Sequence, residues 1–301
     1  MENRSGSRSI QIVSHHKTGT VAAASLYFSL CGKTPTWRDR SHSRLQPSLK
    51  RSQIQDIAGS SPGGKLLTIQ QVKATCGSRV VFSMNGWQRR LEARHDYVHM
   101  VRNPIETLVS GYLYHRSCAE DWTKERYTSR SKPGVRWPAA GFPSSLRFNG
   151  SFCRHLQNVS MSTGLETELY RTMHAADGIG NMLRLLPKLE QLNSISVCLQ
   201  HLAATVPLLS QMLRHNISIV DAPQHHTAHN ATTTQLARAL WMRQASGSDE
   251  SAALCNGATA MFRTWCPQQT GGSASAQNLS HCVRSRWTAS ALQRREIEQT
   301  V

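Results

Sequence analysis

A lysine, a glycine and two threonines stand between an apolar run and a stretch of good helix formers in SIQIVSHHKTGTVAAASLYFSL, residues 9–30. If the apolar run is a strand and the later stretch a helix, HHKTGT becomes the turn between them. Amides at a helix start point at whatever lies above the turn, and the helix dipole adds partial positive charge there. Lys17 contributes a full charge, Thr18 and Thr20 contribute hydroxyls, and Gly19 lets the backbone come close to an anion. The residues make a phosphate or sulfate cradle. The order is not that of the nucleotide loop G-x-x-x-x-G-K-[ST], because Lys17 precedes the glycine instead of following a second one. A plain strand-to-helix turn, with Gly for conformation and Lys for solubility, explains the same residues, so a second signal is needed.

That signal lies in DYVHMVRNPIETLVSGYLYH, residues 96–115. A strand ending at Arg102 is turned by Asn103 and Pro104 into an amphipathic helix that carries Ser110. Arg102 at the carboxyl end of its strand and Ser110 two helical turns later both reach the sheet edge where open α/β sheets bind ligands. The planar fork of Arg suits a phosphate. A buried ion pair is the competing explanation of Arg102 alone.

Together the two motifs resemble the sulfotransferase family that uses 3′-phosphoadenosine 5′-phosphosulfate. There a strand–loop–helix reading roughly P-K-S-G-T-T holds the 5′-phosphosulfate. HHKTGTV, residues 15–21, is similar, with His16 for Pro, Thr18 for Ser and Val21 for the second Thr. A later R-(D/N)-P with Ser eight residues after the Arg holds the 3′-phosphate, which Arg102-Asn103-Pro104 and Ser110 match. The resemblance covers about thirty residues directly, with a weaker echo in ISVCLQHL, residues 195–202. It implies a P-loop NTPase-like sulfotransferase architecture, 3′-phosphoadenosine 5′-phosphosulfate as co-substrate and no metal. Lys17 would neutralise the leaving oxygen, and the loop amides from His16 to Val21, with the Thr18 and Thr20 hydroxyls, would hold the 5′-phosphate.

Two family elements are not matched. Where many members carry a basic His before the second motif, this chain has Met84 or Asn85 in FSMNGW, residues 82–87. Asp39 and His42 lie in the interval where other members carry a carboxylate, and His99, His15 and His16 stand near the motifs. His titrates near neutral pH and is the chemically easier base, but spacing does not choose among these residues. The Gly-rich basic stretch that closes over the adenosine is poorly matched by RTWCPQQTGG, residues 263–272.

The elements that must position these residues follow from pattern. Apolar or β-branched runs at 9–14, 79–84, 96–101, 194–199 and 217–220 alternate with helical periodicity at 19–31, 104–117, 178–192, 201–215 and 232–245. The expected fold class is α/β, a mostly parallel central sheet flanked by helices. One domain is expected over 9–267, after a disordered 1–8, with a long loop at 119–150 and a low-order tail at 268–301.

Lys and Arg total 35 against 18 Asp and Glu, a formal net charge of +17 over 301 residues, so acidic partners are favoured. No motif or aromatic interleaving marks a nucleic-acid binder. The eight cysteines show no CxxC pair or zinc spacing, and Cys255 with Cys266 is the closest pair. Six of eleven Asn begin an N-x-Ser/Thr sequon: Asn3, Asn149, Asn158, Asn216, Asn230 and Asn278. That excess points to a glycoprotein of the Golgi lumen, whereas the first residues, MENRSGSRSIQIV, hold no apolar run for a signal or anchor, so an upstream anchor is missing or the protein is cytoplasmic. The expected function is sulfonate transfer to a hydroxyl or amine of a carbohydrate or other acceptor. The alternatives are a catalytically inactive module that binds an anionic glycan or nucleotide and, behind it, an ATP-dependent kinase.

Overall fold

The structure, a computed structural model, describes residues 9–15, 20–31, 37–39, 45–47, 73–76, 80–84, 95–118, 121–124, 126–127, 146, 148, 150–175, 178–213, 216–217, 231–266 and 283–285. It is an α/β fold with a small, mainly parallel sheet flanked by helices. Strands β1 (Ser9–Ser14), β5 (Val80–Met84), β6 (His95–Val101) and β9 (Ser194–Cys198) run parallel. Antiparallel β4 (Lys73–Cys76) and β10 (Val283–Ser285) close the two edges, in the order β10-β9-β6-β1-β5-β4. A separate hairpin pairs β2 (Trp37–Asp39) with β3 (Leu45–Pro47).

Side chains alternate across a strand, so β1, β6 and β9 present apolar residues on both faces of the sheet. On one face Ile10, Ile12, Val98, Met100, Ile195 and Val197 pack with Ala23, Leu26 and Tyr27 of α1 (Thr20–Leu30) and with Leu202, Leu209 and Leu213 of α7 (Leu202–Leu213). On the other face Val101 and Cys198 join a larger core built by α2 (Pro104–Arg116), α4 (Phe152–Asn158), α5 (Met161–His174), α6 (Ile179–Glu190), α8 (Ala231–Ala245) and α9 (Glu250–Trp265). Strands β1, β6 and β9 are buried on both faces, which is why apolar residues dominate them without a strict alternation.

The start of α2 is specified locally. Asn103 Oδ1 accepts from the amides of Ile105 at 2.9 Å and Glu106 at 3.4 Å, and Pro104 occupies the first turn, where its missing N–H costs nothing. Glu106 in the first turn and His115 and Arg116 in the last complement the helix dipole.

The expected loop and tail are corrected. The stretch 119–150 is not wholly loop: it holds α3 (Asp121–Lys124) and β7 (Arg126–Tyr127), which pairs with β8 (Gly150–Ser151). With the Cys118–Cys153 disulfide, that pairing clamps the two ends of the stretch together. Within the expected tail, Val283–Ser285 forms β10 against β9. Disulfide pairing was left open by the sequence; Cys255 and Cys266, the nearest two in sequence, are held about 16 Å apart along the axis of α9, far beyond disulfide reach. Cys266 is bonded instead to Cys198, and Cys255 keeps a free, buried thiol whose pKa burial pushes up to about 12. Of the expected strand at 217–220, Ile217 lies outside any strand and the rest lies outside the described residues.

One charged cluster crosses the larger core. The buried Glu168 carboxylate of α5 meets His115 Nδ1 of α2 at 2.7 Å, Arg171 Nε at 2.9 Å and Thr172 Oγ1 at 3.3 Å. Gly111 makes the approach possible, since a Cβ there would lie 2.5 Å from Glu168 Oε1. Burial alone would raise the Glu168 pKa, but the Arg171 and His115 charges and hydrogen bonds outweigh it and hold the carboxyl below its usual value. Its contribution to stability is therefore present above the ordinary carboxylate pKa and is lost as pH falls through the lowered folded-state value. Glu168→Gln leaves Arg171 buried without its counter-ion and should cost about 3–5 kcal/mol in urea unfolding at pH 7, with the gap to wild type narrowing in acid.

Candidate functional site

Strand β1 lies between β5 and β6, and the chain leaves β1 for one face and β6 for the other. After β1 comes α1, on the smaller core; after β6 comes α2, on the larger. Adjacent parallel strands whose helices depart to opposite faces leave a crevice at their carboxyl ends, where open α/β sheets bind ligands. Val13 is paired with His99, so the carboxyl ends of β1 and β6 lie side by side. Val101 is in turn paired with Cys198, which brings the turn after β9, Leu199–His201, to the same edge. Two motifs that start 85 residues apart thus leave the sheet side by side.

His16, Lys17, Thr18 and Gly19 lie outside the described residues; their flanks, His15 and the α1 start at Thr20 and Val21, are in place. Arg102, at the mouth, has its side chain 15% exposed. Burial pulls its guanidinium below its usual pKa and Glu106 pushes it back. Its Nε stands 3.5 Å from Glu106 Oε2, the outer limit of a hydrogen bond, and the same oxygen accepts from Gln200 Nε2 at 3.0 Å. Ser110, half-buried, is two turns along α2. Asn103 and Pro104 are accounted for by the helix start they make.

The base candidates separate. Asp39 ends β2 in the small hairpin opposite Leu45, outside the main sheet, and His42 lies outside the described residues. Met84 ends β5 opposite Ser14, beside the head of the turn, and its thioether takes no proton. His99 sits inside β6, two residues before its end and fully buried, on the face of Tyr97 and Val101. Its ring meets that of His15 edge-on, with centroids 5.4 Å apart. Burial, and then the neighbouring His99, holds His15 well below its usual pKa; burial lowers His99 to about 4. Both rings are neutral at pH 7.

Sequence reasoning missed two features here. Ser196 is paired with His99 on the neighbouring strand, and neither its hydroxyl nor either ring nitrogen of His99 has a hydrogen-bond partner among the described residues; the same holds for the Ser14 hydroxyl. Gln200 is the other, and the Gln in the ISVCLQHL echo was its only signal. Among the described residues no group of three or more His, Cys, Asp or Glu is placed to hold a metal ion, and no helix is long and apolar enough to cross a membrane.

Compared with family models, curated proteins and solved structures, the chain matches none of the three.

His99 carries a testable pH signature. Its folded pKa is depressed from 6.5 to about 4, so below pH 6.5 the unfolded chain binds a proton that the folded chain refuses. Stability should fall between pH 6.5 and 4 by on the order of 3 kcal/mol from this residue. Urea midpoints at pH 7 and pH 4.5 should differ less in His99→Gln than in wild type.

Proposed function

We propose that the protein is a sulfotransferase that moves a sulfonate group from 3′-phosphoadenosine 5′-phosphosulfate to a hydroxyl or amine of an acceptor, on a P-loop NTPase-like sheet. The observation that carries the reading is the common edge: β1 and β6 are adjacent parallel strands, and the helices that follow them, α1 and α2, pack on opposite faces. A donor with phosphate at two places needs two anion contacts from separate parts of the chain, and a crevice between divergent helices brings them together.

The residues fit that donor unevenly. Arg102 supplies a cation at the mouth, with Ser110 on the helix behind it. Lys17 and the amides from His16 to Val21 supply the second contact by their place between β1 and α1. In sulfuryl transfer the bond from sulfur to the phosphate oxygen breaks, a bond from sulfur to the acceptor oxygen or nitrogen forms, and the acceptor gives up a proton. Lys17 lowers the barrier by meeting charge on the leaving oxygen, a positioning and electrostatic role. The orphaned hydroxyls of Ser14 and Ser196 and the neutral rings of His15 and His99 line this end of the sheet with polar groups, which favours a polar ligand over a merely packed edge. Proton removal is assigned to no single residue, which keeps open a second reading, a donor-binding module without turnover.

The compartment proposed is a secretory lumen, with a carbohydrate acceptor following from it and from the net charge of +17. The disulfides Cys118–Cys153 and Cys198–Cys266 support it, since such bonds persist in oxidising compartments, and Asn158 and Asn216 present their sequons on exposed positions. Secreted from eukaryotic cells, the protein should carry glycans on both residues, read as a mass loss on enzymatic deglycosylation; unmodified Asn158 in secreted material would count against a luminal protein.

The decisive measurement is calorimetric binding of 3′-phosphoadenosine 5′-phosphate. Wild type should bind it more tightly than ATP, Arg102→Ala should lose about tenfold or more, the equivalent of a charged hydrogen bond, and Lys17→Ala should abolish transfer while retaining binding. Equal affinities of wild type and Arg102→Ala would sink the proposal.

A further inference from the structure

On the larger-core face of the sheet two buried polar side chains stand next to each other without a use in the fold. His99 of β6 and Ser196 of β9 are register partners on neighbouring parallel strands, which sets them on the same face with their backbones about 4.8 Å apart. Both are buried, His99 completely. The pairs on either side of them are engaged. Ser194, paired with Tyr97, donates its hydroxyl to the Leu189 carbonyl at 2.8 Å, and Cys198, paired with Val101, is bonded to Cys266. Between those pairs, the Ser196 hydroxyl and both ring nitrogens of His99 have no hydrogen-bond partner among the described residues, and they do not bond each other. On the side of β1, Val13 is paired with His99, and the His15 ring meets the His99 ring edge-on with centroids 5.4 Å apart. Burying such groups without partners costs free energy, and buried polar groups in folded proteins are as a rule hydrogen-bonded.

We infer that His99 and Ser196 form a seat for one neutral hydroxyl group, supplied by a water molecule or by a polyol, in the half of the larger-core face toward the carboxyl edge. The chemistry of the two side chains selects the guest. A neutral imidazole offers one N–H donor and one lone pair, and a serine hydroxyl both donates and accepts. A guest that satisfies both must itself donate and accept, which a hydroxyl does. A phosphate dianion only accepts and an ammonium only donates, and either would be buried as a charge against a ring that burial keeps neutral. The seat therefore takes an uncharged group, unlike the anion contacts proposed at the same edge, and it stands whether or not those contacts do.

Urea unfolding of the full chain at pH 7 reads the seat through the sign of one mild substitution. With a guest bridging the pair, Ser196→Ala removes a satisfied hydroxyl and should lower the folding equilibrium constant by about tenfold. Without a guest the same change only deletes an orphaned hydroxyl, so an unchanged or raised constant overturns the inference. The guest itself is read from a crystal structure that resolves ordered water. Density should stand within hydrogen-bond distance of the Ser196 hydroxyl and a His99 ring nitrogen, and a glycerol soak tells the two sources apart. Density that stays a single oxygen identifies water, and density that becomes glycerol identifies a polyol seat. A stability loss with no density at the pair before or after the soak overturns the inference as well, because the hydroxyl then matters for packing alone.

Discussion

The pairing of β1 between β5 and β6 is the constraint on which the rest depends. The helix that follows β1 packs on one face of the sheet and the helix that follows β6 on the other, so two cores form instead of one. Both faces of the central strands are thereby desolvated, which requires that each strand be apolar on both sides or that its polar side chains find partners. The same divergence opens the carboxyl edge between β1 and β6. A reader of backbone topology alone would look for a ligand there.

The polar residues on those strands are the exceptions to an otherwise apolar interior, and Ser14, His15, His99 and Ser196 are the ones in the half toward that edge. Val13, Tyr97 and Leu189 make a small apolar cluster on the larger-core face, and Val101 and Cys198 belong to the main one. His99 and Ser196 come between these clusters, with the His15 ring against His99. The electrostatic cost of burying imidazole is met by keeping it uncharged, so these rings add hydrogen-bonding capacity to the edge without adding to its positive charge. Among the described residues, charge at the mouth is carried by Arg102 and Glu106.

Much of this was legible in the sequence because it is local. SIQIVS, VHMV and SISVC are short apolar runs bounded by turn signals, and each became a strand of the expected kind. Asn103-Pro104 announced the start of α2 through capping and a fixed φ. Helices α4, α5 and α9 were not read from the sequence: α5 buries Thr167, Glu168, Arg171 and Thr172 beside Leu165, Leu169 and Met173, and α9 buries the small Ala252, Cys255 and Ala258 beside Met261, so polar and small residues dilute their apolar stripes. What makes α5 bury a carboxylate is Arg171 three residues on and His115 from another helix, a partnership that periodicity does not record. The β10 edge strand was hidden for a similar reason, since VRS is too short to stand out and its pairing partner is a strand near residue 196. At the site, the residue types that carry charge were found by motif, whereas Gln200 and Ser196 acquire meaning only from the strands beside them.

The Cys198–Cys266 bond spans 68 residues and joins the last strand of the parallel set to the end of the last helix. A chain emerging from a ribosome has β1, β6 and β9 available long before residue 266 leaves the exit tunnel, so the turn holding Gln200 is completed late, when the C-terminal helix docks. The edge where three strands end is thus assembled from the two ends of the domain, and no nascent fragment shorter than about residue 266 has a finished one.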